Sequence, residues 1–335
     1  MKRNVQPWTL PWLAVVLYPA FLLAFDGAIN GYHQSGGLAM AGGALLAMLL
    51  AASVTPLALR ALLITRNDAG PALVRGILYL TVGAPSLFSL TNTLSWLVKL
   101  SQPVFISLWI GVWLTVGLLL YLCRQRIDDG EQKPPVGWLR VVHGVSALVL
   151  LTGFLLAHLG NNSLAAWSVE LHKAVQTTLR TWYRSELIEP VLLTLMLIMI
   201  ATGVPMVARY SRQRLDAFRV VQIATGAYVG IFICSHVVAV LNGRRLGIET
   251  DWFFASGPNT LLDGSSLLGR LIPHYVFGTL CLIVHLGCGL RIVLLKHGVP
   301  QALSNRALYA VASVGMVVTI MITSALLGFH IEAPG

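Results

Sequence analysis

Long uncharged stretches, each close to twenty residues and separated by short polar breaks, constrain this chain more than any other feature. A helix needs about 20 apolar residues to cross the hydrocarbon core of a bilayer, and there only helices and closed barrels satisfy every backbone polar group. Such windows run from Pro11 to Phe25, Ser35 to Leu59, Gly76 to Val98, Leu100 to Cys123, Val141 to Leu159, Pro190 to Ala208, Val220 to Leu241, Leu271 to Leu290 and Ala307 to Phe329. The expected fold class is all-α: a polytopic membrane protein with about nine transmembrane helices. Of 335 residues, 56% are hydrophobic and 11% charged, against about 25% charged in soluble domains. Lys2 and Arg3 precede the first window without a small-residue cleavage site, so it reads as a retained helix and not a signal peptide. Between the third and fourth windows, a turn at Ser101, Gln102 and Pro103 is expected after Lys99, with Pro103 opening a helix.

A formal net charge of +10 raises nucleic acid as a partner. The 23 basic residues are spread thinly between apolar runs, which is the wrong pattern for a phosphate-binding groove, so no nucleic acid is expected. Basic residues instead collect on the cytoplasmic side of membrane helices. With the N-terminus inside, sixteen fall in inner segments, and seven outside: Lys99, Lys173, Arg180, Arg184, Arg244, Arg245 and Arg270. The predicted orientation is therefore N-in and C-out, with the inner excess facing anionic lipid headgroups.

The polar run 126–136, with its Pro-Pro break, divides the chain into a four-helix region, 1–125, and a five-helix region, 137–335. The second region carries two long outer connections, 160–189 and 242–270. In the first of these, Leu164, Ala165, Trp167, Leu171, Val175, Leu179 and Trp182 recur at helical spacing and predict an interfacial helix. Cys123, Cys234, Cys281 and Cys288 lie in or beside apolar runs with no CxxC spacing and read as small buried residues.

Ionisable residues inside a membrane are costly and mark function by default. No acidic residue lies inside any of the nine windows, so coupled ion transport has no obvious carrier. His33, His172, His297 and His330 fall in loops or ends, and His143 at the inner edge of the fifth helix reads as interfacial. His158, His236, His274 and His285 remain, all in the five-helix region. His158 and His236 lie near the outer ends of two helices that run in the same direction, so their rings sit at similar depth. Two neutral imidazoles from different helices are what haem b needs as axial ligands. Gly153, Ala157, Gly226 and Gly230 offer space beside a flat macrocycle, and Arg244 and Arg245 lie where they can meet its carboxylates. His274, Gly278, Cys281, His285 and Cys288 share one face of the eighth helix, either as a packing stripe or as a second site. The sixth helix, from which a partner for His285 is expected, has no histidine; its Met199 can ligate iron, though an isolated Met is ordinarily core. Asn92, Thr93 and Ser95 either face a cavity or bond backbone carbonyls, the second being the expectation.

The five-helix region resembles the haem b membrane anchors of succinate dehydrogenase and fumarate reductase, and especially the related membrane domains of some bacterial adenylate cyclases. The likeness spans about residues 137–330. It rests on the stretch from Arg140 to Asn162 around His158, on Phe232-Ile-Cys-Ser-His236-Val-Val, on Leu282-Ile-Val-His285-Leu-Gly-Cys-Gly-Leu-Arg291 and on Ala325-Leu-Leu-Gly-Phe. It implies one haem shared by the first and third helices of the bundle, here His158 and His236, and a second shared by the second and fourth. His285 matches the fourth-helix ligand, Met199 stands near the missing second-helix histidine, and Asn162 stands where relatives carry another histidine. The function implied is a b-type cytochrome in the bacterial inner membrane, moving electrons between a quinone and a soluble redox or signalling subunit. Ser235, His274 and Arg270 are the candidate quinone donors. The competing expectation is a non-redox scaffold or transporter subunit that keeps the bundle. No nucleophile–base pair or phosphate loop suggests hydrolytic catalysis.

Overall fold

The computed structural model describes residues 6–66, 72–123, 137–257, 259–264 and 267–331. The chain is an all-α polytopic membrane protein, and no strand occurs among the described residues. The helices run α1 (Thr9–Ser35), α2 (Leu38–Ala52), α3 (Val54–Thr65), α4 (Ala72–Val82), α5 (Ala84–Leu97) and α6 (Gln102–Cys123). The second region comprises α7 (Gly137–Leu150), a π-turn (Leu151–Leu155), α8 (Leu156–Leu164), α9 (Val169–Tyr183), α10 (Ile188–Tyr210), α11 (Ala217–Arg245), α12 (Trp252–Ser256), α13 (Leu271–Lys296) and α14 (Gln301–Leu326). Among the described residues, eight spans are long and apolar enough to cross a membrane. A ninth is reached only if α4 and α5 count as one span, and these are bent by 70° at Gly83. The expected straight third helix is thus a broken one. Pro85, near the start of α5, has no N–H to carry the α4 ladder across the break.

The turn before α6 falls slightly earlier than the expected Ser101–Pro103. Lys99 adopts the left-handed conformation (φ 57°), and α6 opens at Gln102 with Pro103 in its first turn. The first span also extends past its apolar window to Ser35 and so encloses Asp26. The expectation that no acid lies within a span therefore fails at this residue, which is buried and accepts the Leu267 N–H at 2.9 Å. The linker 126–136 and the N-terminal Lys2 and Arg3 lie outside the described residues.

Membrane helices gain little from hydrophobicity against one another and associate through close packing at small residues. Here α7 packs on α10, α11 on α13, and α13 on α14, while α4 and α5 lie against α11. A methyl group at Gly287 on α13 would come within 2.9 Å of Leu308 on α14, so glycine sets how near these helices approach. Leu78, Tyr79 and Val82 pack with Ala224, Tyr228 and Cys281 in one buried cluster, joining the first region to the second. Cys281 and Cys288 are buried and unbridged. Outward faces are apolar, as at Leu45, Leu49, Val112, Leu118, Val145 and Leu148.

The amphipathic helix expected in the connection 160–189 is α9, capped by Ser168, whose Oγ accepts the Leu171 N–H at 3.1 Å. It lies at the end of the bundle where the two long connections gather, called here the loop end. Between the α7–α8 rod and the α11–α13 pair is a cavity of about 2270 Å³ that runs the depth of the bundle.

Candidate functional site: two imidazole pairs on one cavity

At the loop end, His158 on α8 and His236 on α11 face each other with ring centroids 6.1 Å apart and planes at 67°. Similar depth and the family resemblance both pair these two in the sequence, and their contact follows from α7–α8 and α11 standing on opposite walls. Each ring is braced by a phenylalanine one turn earlier on its own helix. Phe154 stacks on His158 at 4.9 Å and Phe232 on His236 at 5.8 Å, both nearly parallel. Tyr183 of α9 closes edge-on over Phe154 at 5.4 Å.

The mouth beside this pair is cationic. Arg180, Arg184 and Arg244 all line it. Arg244 makes a two-pronged ion pair with Glu189, and Arg184 donates to Thr250 Oγ1 at 2.7 Å. Burial and the neighbouring guanidiniums of Arg180 and Arg244 hold the Arg184 pKa below the usual arginine range. Arg245, expected beside Arg244, does not line the cavity; it is exposed and donates to Asn242. Arg180 and Arg184 were not singled out from sequence. Their four-residue spacing, Arg180 in the last turn of the amphipathic helix and Arg184 just past its end, was the available signal.

Of the small residues expected beside a macrocycle, Gly226 and Gly230 line the cavity and Gly153 and Ala157 do not. Gly153 sits in the π-turn, and Ala157 faces outward. Gly144, Gly160 and Gly289 add to the lining, and a Cβ at any of these three or at Gly230 would meet nothing within 4 Å.

At the opposite end, His285 of α13 meets a residue that sequence reading left at the interface. His143 of α7 lies with its ring centroid 6.2 Å from that of His285 and its plane at 81°. His285 Nδ1 lies 2.8 Å from the Gln222 carbonyl oxygen. His143 Nδ1 lies 2.9 Å from Thr202 Oγ1, whose own proton goes to the Ile198 carbonyl at 2.7 Å. Both acceptors leave Nδ1 as the protonated nitrogen and Nε2 as the lone-pair atom on each ring. Met199 also lines this part of the cavity, on the same helix as Thr202.

His274 lines the cavity but pairs with no imidazole. It bonds Ser86 Oγ of α5 at 3.0 Å and lies against Phe232 at 4.7 Å, behind His236. Ser235 and Arg270 lie on the same wall. Asn92, Thr93 and Ser95 satisfy both readings: they line the cavity, and Thr93 and Ser95 also bond carbonyls within α5. The remaining histidines serve structure: His33, His297 and His330 each bond a backbone carbonyl. His172 is buried on α9 against Trp252, with Nδ1 3.0 Å from the Asn161 oxygen. Burial also lowers its pKa below the ordinary histidine value.

Among the described residues, no three His, Cys, Asp or Glu side chains come together as a metal site. The imidazoles come in two edge-to-face pairs, one toward each end of the cavity. Comparisons with family models, curated proteins and solved structures found no match to this chain.

Proposed function

We propose that this chain is a b-type cytochrome of a bacterial inner membrane, oriented N-in and C-out, carrying electrons between a lipid quinone and a partner subunit. The observation that carries the reading is the His158–His236 pair. Two imidazoles on opposite sides of one metal have ring centroids about 6 Å apart, from metal–nitrogen bonds of about 2 Å and roughly 1.1 Å from nitrogen to ring centre. The observed 6.1 Å matches that spacing. The open faces of Gly160 and Gly230 leave room for a flat ring, and the arginines at the mouth suit its carboxylates.

Haem b, when bound, supplies a one-electron couple. The chain supplies the rest. His158 and His236 would hold the haem iron, and Phe154 and Phe232 stack on their rings. Arg184 would face the haem carboxylates, beside Arg244, which is ion-paired with Glu189. Ser235, His274 and Arg270 present polar groups to a quinone headgroup, with His274 fixed by Ser86. The opposite end carries Arg140, Arg209, Arg212, Arg214 and Arg219, the excess expected of a cytoplasmic face.

The test is a pyridine haemochrome spectrum of the protein purified from haem-supplied cells. A b-type spectrum is expected, with the loop-end haem lost in His158→Ala and His236→Ala. A colourless protein that stays folded would sink this reading and favour the scaffold.

A further inference from the structure

We infer that a second haem b is held between His143 and His285, so that two haem sites stand one above the other across the membrane. This rests on reading the loop-end pair as a haem site. It departs from what the family resemblance implies, which places the partner of the fourth-helix ligand on the second helix of the bundle. That helix, α10, has no histidine, and the first helix supplies the ring instead.

The geometry of the second pair repeats that of the first. The centroids are 6.2 Å apart, again close to the roughly 6 Å of opposed ligands on one metal. Both rings keep Nε2 as the lone-pair atom, because Nδ1 is tied to Thr202 or to the Gln222 carbonyl. Ligating histidines characteristically have the other nitrogen bound in this way.

Small residues surround the two rings. Gly226 lets α11 pass the His285 ring where a Cβ would come within 2.6 Å of Cε1, and a Cβ at Gly203 would lie 3.6 Å from His143 Cε1. Gly144 and Gly289 stand open to the cavity. Arg140, Arg219 and Lys296 line this end as Arg184 and Arg244 line the other. Sites for one small ligand measure about 300–1,000 Å³; a cavity of about 2270 Å³ accommodates more than one bulky group.

One helix serves both sites. His143 and His158 are fifteen residues apart on the α7–α8 rod, roughly 22 Å at 1.5 Å per residue. The π-turn between them, in which the Leu156 N–H reaches the Leu151 carbonyl, absorbs about one residue. The interval then measures about fourteen α-helical steps, near four whole turns, and both rings face the same cavity.

The experiment is the haem-to-protein ratio of the purified full-length chain from haem-supplied cells, read by pyridine haemochrome. Two haems per chain are expected, falling to one in His143→Ala and in His285→Ala. The haem left in those variants should be removed by adding His158→Ala. A wild-type ratio of one, abolished by His158→Ala and untouched by His143→Ala, overturns the inference and leaves the loop-end reading intact. A ratio of zero overturns both. A ratio of two that survives His143→Ala but falls in Met199→Ala makes Met199 the ligand and overturns the assignment. His143→Gly with added imidazole separates ligation from folding: recovery of the second haem supports the pair, and failure in protein that retains its loop-end haem refutes it.

Discussion

At the loop end of the cavity both imidazoles are braced by phenylalanine faces, while at the opposite end both are tied by hydrogen bonds at Nδ1. Two rings with the same spacing are thus oriented by different forces. Stacking fixes a plane but leaves the ring electronically alone, whereas a bond from Nδ1–H to oxygen both orients an imidazole and raises its basicity. The loop-end pair also sits under a cluster of arginines, two of which are linked to Glu189 and Thr250. The comparison teaches that one bundle can present two imidazole pairs alike in spacing and unlike in what orients their rings.

The largest effect expected is from the double variant His158→Ala/His285→Ala. It removes one ligand from each end, and all b-type absorbance should vanish while the protein still extracts from membranes as a folded species. Retention of half the absorbance would mean that one pair is not a ligand pair at all.

Filling the glycines separates the ends at a smaller scale. Gly226→Ala pushes on His285 and costs about 1–3 kcal/mol as an overpacked contact. It should lower haem content at the His143–His285 end only. A Cβ at Gly230 meets nothing within 4 Å and the residue lines the cavity, so Gly230→Phe should direct its ring into the cavity and reduce haem uptake. A loss of stability in Gly230→Phe with full haem content would contradict the placement of that open face.

Thr202→Val strips the acceptor from His143 Nδ1 and leaves a buried donor unpaired, a penalty of about 1–3 kcal/mol. In a potentiometric titration, the couple assigned to that end should shift to higher potential while the other stays in place. Phe232→Leu removes a ring–ring contact of about 0.5–1.5 kcal/mol. It should weaken haem retention at the loop end a few-fold without moving the other couple. If both variants shift both couples equally, the contrast between the ends is wrong.

The smallest effect concerns α9, which closes the loop end. Burial depresses the His172 pKa, with Arg180 and Lys173 nearby disfavouring the charged form and Asp251 and the Asn161 carbonyl favouring it. A histidine buried neutral takes up a proton more readily once undocked. Docking is therefore complete above the ordinary histidine value near 6.5 and weakens as pH falls below it toward the depressed value. Protection of the amides across 169–183, taken relative to the intrinsic exchange rate at each pH, should be higher at pH 8 than at pH 5. Equal protection at both would remove His172 as the cause.

Much of the fold was legible because hydrophobic length is written along the chain. The windows located every span, and the helical spacing in 160–189 located α9. The break at Gly83 was not legible, since Ala72–Leu97 is apolar on both sides of it and hydropathy carries no information about direction. Asp26 was missed because an apolar window ends at the first charge, although the helix continues past it. At the site, depth sufficed to match His158 with His236. It could not match His143 with His285, because a histidine at a helix edge next to Arg140 looks interfacial until the neighbouring helices are in place.

The sequence by itself determined a helical membrane protein and the four histidines within apolar runs of the second region. These follow from the cost of moving polar groups out of water, a cost paid residue by residue and so readable in order. Tertiary structure alone decided which imidazoles come together, that Gly226 and Gly230 line the cavity while Gly153 does not, and that His274 lies against Phe232. Those relations depend on helix rotation and on close packing between segments far apart in the chain, and no single stretch of residues encodes either.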